Sequence, residues 1–127
     1  MKIMESAENY LETILILTKR TGSVRSVDIA NELNFSKPSV SVAMKNLREK
    51  NLIRVGDDGL IELLPEGLAI AEMIYERHLL LTKWLEHLGV NPDTAVADAC
   101  RVEHVISQES FEAIKNHILG HIENVTF

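Results

Sequence analysis

Three side chains with metal-binding chemistry lie close together in the second half of the chain. Cys100, Glu103 and His104 occupy positions i, i+3 and i+4. On an α-helix this spacing points all three side chains to one face, with Cβ atoms about 5–6 Å apart. A thiolate, a carboxylate and an imidazole that converge there can bind a divalent transition metal ion. The pattern also fits a purely structural interpretation, in which Cys100 and His104 pack in the core and Glu103 is solvated.

Further polar groups occur within helical patterns elsewhere. Asn9 and Glu12 form an i, i+3 pair near the start of the first predicted helix, and His78 interrupts a long helix after Glu76 and Arg77. On residue type and spacing alone, each is better explained as a surface or capping residue than as a ligand. Their interpretation therefore depends on the elements that position them.

The first fifty residues predict three helices. Apolar residues recur at helical spacing over Glu5–Arg20, Ser26 can cap a second helix, and Ser36 can cap a third that runs to about residue 50. Pro38, in the first turn of the third helix, removes only an amide that has no helical partner. Two short helices joined by the tight turn at Asn34-Phe35 indicate a helix-turn-helix.

The pattern then changes to that of a β-hairpin. Two apolar segments, Leu52–Val55 and Leu60–Leu63, flank the turn residues Gly56–Gly59. A hairpin directly after a helix-turn-helix is the wing of a winged helix. Three more helices are predicted over about 65–88, from residue 92 to about Val105, and after Ser107, which can cap the last. The predicted fold is therefore mainly α: a winged helix-turn-helix with a small β-hairpin wing (residues 1–64), followed by an all-helical domain (residues 65–127).

The charge is distributed unevenly along the 127 residues, whose formal net charge is -6. Residues 1–64 hold nine Lys and Arg against nine Asp and Glu, whereas residues 65–127 hold four against ten. Within the first part, a basic stripe is opposed only by Glu49 between positions 37 and 54. A stripe of this size is enough to hold DNA phosphates. It consists of Lys37, Lys45, Arg48, Lys50 and Arg54.

From the same sequence we expect neither a membrane protein nor a secreted one. No apolar run approaches the ~20 residues that a membrane-spanning helix needs. The first residues lack the apolar core of a secretory signal. Cys100 is the single cysteine, so no disulfide within the chain is possible, and we expect a cytoplasmic protein.

The order of these elements resembles the diphtheria toxin repressor and manganese transport regulator family of metal-dependent transcriptional repressors. The resemblance covers nearly the whole chain, and its most specific part is the run from Ala99 to Ser107. It implies a repressor that binds palindromic operator DNA as a homodimer when loaded with Fe²⁺ or Mn²⁺, and so controls metal-ion homeostasis. It also implies a short form that ends before the SH3-like domain. The other matching runs are Tyr10-Leu11-Glu12-Thr13-Ile14, Asp28-Ile29-Ala30, Ser36-Lys37-Pro38-Ser39-Val40-Ser41, Glu66-Gly67 and Glu76-Arg77-His78.

The resemblance also implies a metal site. Its principal ligands would be Glu12 from the DNA-binding part and Cys100, Glu103 and His104 from the dimerisation part, so that the metal fixes one part against the other. His78 and Asn9 would be auxiliary or second-site ligands. The thiolate is typical of the iron-responsive branch, whereas Glu12 and His78 fit the manganese branch, which has an Asp at the position of Asn9. Because a soft thiolate disfavours Mn²⁺, we expect Fe²⁺ first and Mn²⁺ next.

The front of the third helix is the predicted base-reading element, since this part of a helix-turn-helix enters the major groove. Small hydroxyls and apolar groups there can meet base edges or thymine methyls, whereas the basic residues would contact phosphates. A solvated helix face is an equally good account of any one basic residue. The base candidates are Ser36, Pro38, Ser39, Ser41 and Val42, and the phosphate candidates are Lys37, Lys45, Arg48 and Arg54.

Two other functions are compatible with the Cys/Glu/His pattern. One is a winged-helix regulator that senses oxidants or a small molecule through Cys100; a chelator would separate it from a metal sensor. The other is an enzyme with Cys100 as nucleophile and His104 as base. Side chains on one helix offer neither oxyanion donors nor a cleft, so we do not expect an enzyme.

Overall fold

The computed structural model describes residues 5–121 and confirms the predicted mainly helical class, with a two-stranded hairpin after the third helix. No helix in this part of the chain is long and apolar enough to cross a bilayer. The chain divides into two compact units, with the boundary between Glu72 and Met73 inside the fourth helix. The elements are α1 (Glu5–Thr21), α2 (Ser26–Leu33), α3 (Lys37–Glu49), β1 (Ile53–Val55), β2 (Ile61–Leu63), α4 (Pro65–His87), α5 (Pro92–Val102) and α6 (Gln108–His121).

Local capping explains where α3 begins. The Ser36 hydroxyl accepts a hydrogen bond from the Ser39 backbone amide at 3.2 Å, and Pro38 lies in the first turn, as the sequence predicts. The preceding turn is made by Asn34, whose left-handed backbone (φ 56°) ends α2. Asparagine adopts this conformation more readily than most residues. The two helices of the helix-turn-helix are therefore fixed at their junction by local chemistry.

The predicted cap of α2 is wrong. Ser26 is already helical, and Arg25 is the residue at the N-cap. The Asp28 carboxylate, three residues on, accepts a hydrogen bond from the Arg25 backbone amide at 2.8 Å. A carboxylate in the first turn also interacts favourably with the helix dipole, so it can take the place of a hydroxyl cap.

The wing is an antiparallel pair in which Ile53 faces Leu63 and Val55 faces Ile61. Its turn is closed by Gly59, whose φ of 82° is a conformation that residues with a side chain rarely adopt. The Arg25 guanidinium donates to the Asp58 carbonyl at 3.2 Å, which joins the start of α2 to the tip of the wing.

The core of the first unit lies between α1, α2, α3 and the wing. At its edge, Gly67 is buried against the backbone carbonyl of Leu52, and a Cβ at this position would overlap that carbonyl. This glycine therefore lets the start of α4 approach the end of the α3–β1 connection closely. The fully buried apolar side chains of the unit include Leu11, Ile14, Val24, Ile29, Val40, Leu52 and Ile53.

The second unit is built around α6. Phe111 and Ile118 are buried with Leu80 of α4, and Trp84, Ile106 and Ile114 pack around them. Ser107 caps α6 as predicted, because its hydroxyl accepts from the backbone amide of Ser110 at 3.1 Å.

The predicted end of α5 at about Val105 is wrong, because the helix ends at Val102. The Val102 carbonyl accepts from the amides of both Val105 and Ile106, each at 3.1 Å, which tightens the chain into a turn. Glu103 is the C-cap of α5, with its amide bonded to the Ala99 carbonyl at 2.9 Å, and His104 lies in the turn beyond. Two of the three candidate ligands therefore sit at and after the end of the helix, not within it.

Candidate metal centre and recognition helix

The end of α5 and the turn after it bring three candidate ligands together. One donor atom each of Cys100, Glu103 and His104 lies within 4.8 Å of the other two. The Glu103 side chain is fully buried and that of His104 is 3 % exposed, whereas Cys100 is exposed. The expectations of a solvated Glu103 and of a Cys100 packed in the core are therefore wrong.

His78 contacts the carboxylate of Glu103. Its Nδ1 is 2.9 Å from Oε2 of Glu103, although the two residues are 25 positions apart in the chain. Oε1 of the same carboxylate lies 3.4 Å from Nε2 of His104. An ionised carboxylate only accepts hydrogen bonds, so we assign Nδ1 of His78 as the donor in this pair. No pattern in the sequence predicts this hydrogen bond, because it depends on how α4 packs against the turn.

This donor set fits a divalent transition metal ion. Thiolate sulfur, carboxylate oxygen and imidazole nitrogen are all ligands of such ions, and a binding imidazole must be neutral. Burying a carboxylate costs free energy unless partners or a cation compensate. At this site Glu103 is withdrawn from water between two imidazoles, an arrangement that a cation would stabilise.

Arg77 is a residue of this site to which the sequence pattern assigns no role. Its Nη1 donates to the backbone carbonyls of Glu103 and Ile106, each at 3.0 Å, and its Nη2 donates to the Gln108 side chain at 2.7 Å. The guanidinium also lies over the Phe111 ring, 5.3 Å from its centre. These contacts connect Arg77 to the turn that carries Glu103. They depend on tertiary packing, so the sequence does not predict them.

Two of the predicted ligands belong to the first unit. Glu12 lies on α1 and is buried. Asn9 lies one turn earlier and is half-buried, and its backbone carbonyl accepts a hydrogen bond from the Thr13 hydroxyl at 2.8 Å. Their assignment as metal ligands stays a prediction from the family resemblance.

The predicted DNA contacts lie on α3 or at its cap, except Arg54, which lies on β1. Val42 is 61 % exposed although it is apolar, which leaves a methyl surface open on the helix. The hydroxyls of Ser36 and Ser39 are hydrogen-bonded to each other at 2.8 Å. Their role in binding DNA stays a prediction. All the predicted contacts on α3 and at its cap have exposed side chains: Ser36, Lys37, Pro38, Ser39, Ser41, Val42, Lys45 and Arg48.

Arg54 has a partner that the sequence analysis missed. Its guanidinium lies 2.6 Å from the Glu62 carboxylate, directly across the wing, and the two side chains are 63 % and 62 % exposed. The hydrogen bond to Glu62, followed by the attraction of its charge, raises the pKa of Arg54 above its usual value. In the second unit, the hydrogen bond to Glu76 raises the pKa of Lys115 in the same way. Both side chains stay cationic, but Glu62 competes with any phosphate for Arg54.

Comparison with known proteins assigns both parts of the chain. Residues 2–60 match the family model described as the iron dependent repressor N-terminal DNA binding domain. Residues 64–124 match the iron dependent repressor metal binding and dimerisation domain. The transcriptional regulator MntR of Salmonella typhimurium is 36% identical over 109 residues, which are 86% of this chain and 69% of that protein. The iron-dependent repressor IdeR of Mycobacterium bovis is 31% identical over 109 residues, 85% of this chain and 47% of that protein.

A solved structure has the same fold. The manganese regulator SloR superposes with a TM-score of 0.76 at 25% sequence identity and covers 94% of this chain. The match includes 55% of the SloR chain, so the present chain spans about half the length of that structure.

Proposed function

Because the chain belongs to the iron-dependent repressor family, we propose that it is a metal-dependent transcriptional repressor that binds palindromic operator DNA as a homodimer and controls metal-ion homeostasis. The observation that carries this proposal is the convergence of Cys100, Glu103 and His104 donor atoms within 4.8 Å. These residues lie in the part of the chain that matches a metal-binding domain. Neither matched domain is described as catalytic, which agrees with a regulator and not with an enzyme.

We assign the metal to the end of α5. Cys100, Glu103 and His104 would hold the ion, and the ion would neutralise the buried carboxylate. The contact from Nδ1 of His78 holds Oε2 of Glu103, which leaves Oε1 on the side of His104. Glu12 is the further ligand that the family resemblance implies, and His78 and Asn9 are auxiliary.

We assign operator binding to residues 1–64 and dimerisation to residues 65–127. The exposed front of α3 would read bases in the major groove, with Ser39 and Val42 at its centre. The basic residues of α3 would contact phosphates, which fix the register of the helix on the duplex but carry no sequence information. The single cysteine agrees with a protein that acts on DNA in the cytoplasm.

One experiment tests the metal dependence. A palindromic operator is first selected from a random duplex library in the presence of Mn²⁺ or Fe²⁺, and its affinity is then measured by fluorescence anisotropy with metal and with excess chelator. We expect chelation to weaken operator binding by about 5–150-fold, the ordinary size of such a coupling. Affinity that is unchanged by the chelator but lost after treatment with peroxide would instead support the oxidant sensor based on Cys100.

The preferred metal follows from the donor atoms. A thiolate favours Fe²⁺, Co²⁺ or Zn²⁺ over Mn²⁺, which suits carboxylates and water. We therefore expect anaerobic operator binding to respond to Fe²⁺ at a lower concentration than to Mn²⁺. The double variant Cys100→Glu with Asn9→Asp should reverse that order. A native protein that Mn²⁺ activates better than Fe²⁺ would show that ligand softness does not set the selectivity.

A further inference from the structure

We infer that Arg77 is a positioning residue for the metal centre: it holds the turn that carries Glu103 and His104 in its ligating conformation before any ion binds. This inference rests on the proposed metal function. Arg77 touches none of the proposed metal-donor atoms through the bonds described above. It contacts the backbone of the turn that carries them and the side chains of Gln108 and Phe111 in α6.

The first step is that α5 ends early, so the carbonyls after it lack helical donors. The last carbonyls of a helix need partners from elsewhere, and a buried carbonyl without one costs free energy. Arg77 supplies a donor for the C-cap carbonyl of Glu103 and for the carbonyl of Ile106 in the turn beyond, because one guanidinium nitrogen reaches both. A cation at this end of a helix also interacts favourably with the helix dipole.

The second step is that the guanidinium is itself held rigidly. Arg77 is 5% exposed, its second terminal nitrogen is bonded to Gln108, and the Phe111 ring lies against its face. Gln108 and Phe111 belong to α6, so the guanidinium connects α4 to the start of α6 as well as to the end of α5. The turn is thereby fixed from both of its ends.

The third step is that consecutive residues of α4 hold different parts of one ligand. Arg77 binds the main-chain carbonyl of Glu103, and His78 binds its carboxylate. The Glu103 amide is occupied by the Ala99 carbonyl. Backbone and side chain of Glu103 are thus both fixed, and His104 follows directly in the same turn.

This arrangement should raise the affinity for the metal. Groups that orient a ligating side chain reduce the conformational entropy that this side chain loses when the ion binds. Loss of such a partner typically weakens metal binding by about 10–100-fold. Lysine is not an adequate substitute, since it lacks the planar fork that serves several acceptors at fixed angles. We therefore expect Arg77→Lys to keep the positive charge but no longer hold the turn that carries Glu103 and His104.

The test is an anaerobic Co²⁺ titration of the full chain. Binding is monitored through the thiolate-to-cobalt charge-transfer absorption and the ligand-field bands of the ion. The compared proteins are wild type, Arg77→Lys and Gln108→Ala, which removes one anchor of the guanidinium. The matched control is Lys115→Gln. It breaks the 2.8 Å ion pair with Glu76, which joins the same two helices one residue away from Arg77.

We expect Arg77→Lys to raise the Co²⁺ dissociation constant about tenfold or more and to change the ligand-field bands. Gln108→Ala should act in the same direction with a smaller effect, and the control should match wild type. A merely structural Arg77 would lower the apo unfolding midpoint yet leave the affinity and the bands of the folded protein unchanged, which would overturn the inference.

Two further outcomes have a defined interpretation. If circular dichroism shows that Arg77→Lys is unfolded, the result for Gln108→Ala decides, because Gln108 is exposed and we expect this variant to fold. Wild-type affinity and bands in Gln108→Ala would then overturn the inference. A wild-type protein that binds no Co²⁺ would instead refute the proposed metal function itself.

Discussion

Replacing Glu103 with glutamine should strongly weaken metal binding without weakening the metal-free fold. Gln has nearly the same shape as Glu, and its amide can keep a hydrogen bond to His78. The substitution removes a charge from a side chain that has no exposed surface. Because such a charge is costly to withdraw from water, the unfolding midpoint of metal-free Glu103→Gln should equal or exceed that of wild type.

The metal-loaded proteins should behave in the opposite way. An ion present at about 100 times its dissociation constant stabilises the folded state by about 2.7 kcal/mol. For a chain of this size that raises the midpoint by roughly 10 °C. If loss of the carboxylate weakens binding by ~100-fold, the same ion concentration contributes only about 0.4 kcal/mol, or roughly 2 °C.

Thermal unfolding followed by circular dichroism, with and without anaerobic Fe²⁺ or Mn²⁺, measures both effects. Glu109→Gln is the control, since it removes an exposed carboxylate in the first turn of α6. That variant should keep the full metal-induced shift and differ from wild type by less than about 0.5 kcal/mol without metal. A Glu103→Gln protein that retains a shift of roughly 10 °C would refute the role of this carboxylate as a ligand.

Three further predictions concern the first unit. Glu62→Gln releases Arg54, so affinity for DNA should rise and the slope of log affinity against log salt should steepen by about 0.9 if Arg54 then binds one more phosphate; an unchanged slope in anisotropy titrations would argue against phosphate binding by Arg54. Arg48→Ala should weaken binding to operator and random DNA alike, whereas Ser39→Ala should mostly reduce their ratio; a change of sequence preference alone in Arg48→Ala would contradict the placement of α3. Gly67→Ala should destabilise the unit by about 1–3 kcal/mol in urea unfolding, because the added Cβ has no room; an unchanged midpoint would show that the backbone adjusts there.

Local chemistry in the sequence was enough to predict most of the elements. The Ser36 cap, the asparagine turn before it and the glycines of the wing act over a few residues, and the structure has all of them. The spacing of Cys100, Glu103 and His104 predicts that they lie close together. They do so although α5 ends at Val102, because the backbone of Glu103 at the C-cap is still helical. These features depend on residues that are close in the sequence, so they can be predicted without knowledge of the tertiary packing.

Two local predictions were wrong because a competing group lay outside the pattern considered. The sequence predicts the Ser26 hydroxyl as the cap of α2, but the Asp28 carboxylate binds the amide of Arg25 and the helix starts one residue earlier. The apolar pattern extended α5 to Val105, but Arg77 provides donors for carbonyls beyond Val102 and so stabilises a turn there. Helix ends are decided by whichever partner satisfies the terminal backbone groups.

The environment of the candidate metal ligands is decided only by tertiary structure. His78 and Glu103 are 25 residues apart, and Arg77 reaches Gln108 across 31 positions. Hydrophobic spacing predicts that α4 and α6 have buried faces, but it does not determine which residue of one helix meets which residue of the other. That alignment follows from the packing of Leu80 against Phe111 and Ile118. The sequence by itself therefore determined which side chains could bind a metal, whereas the packing of the helices decided how they are buried and held.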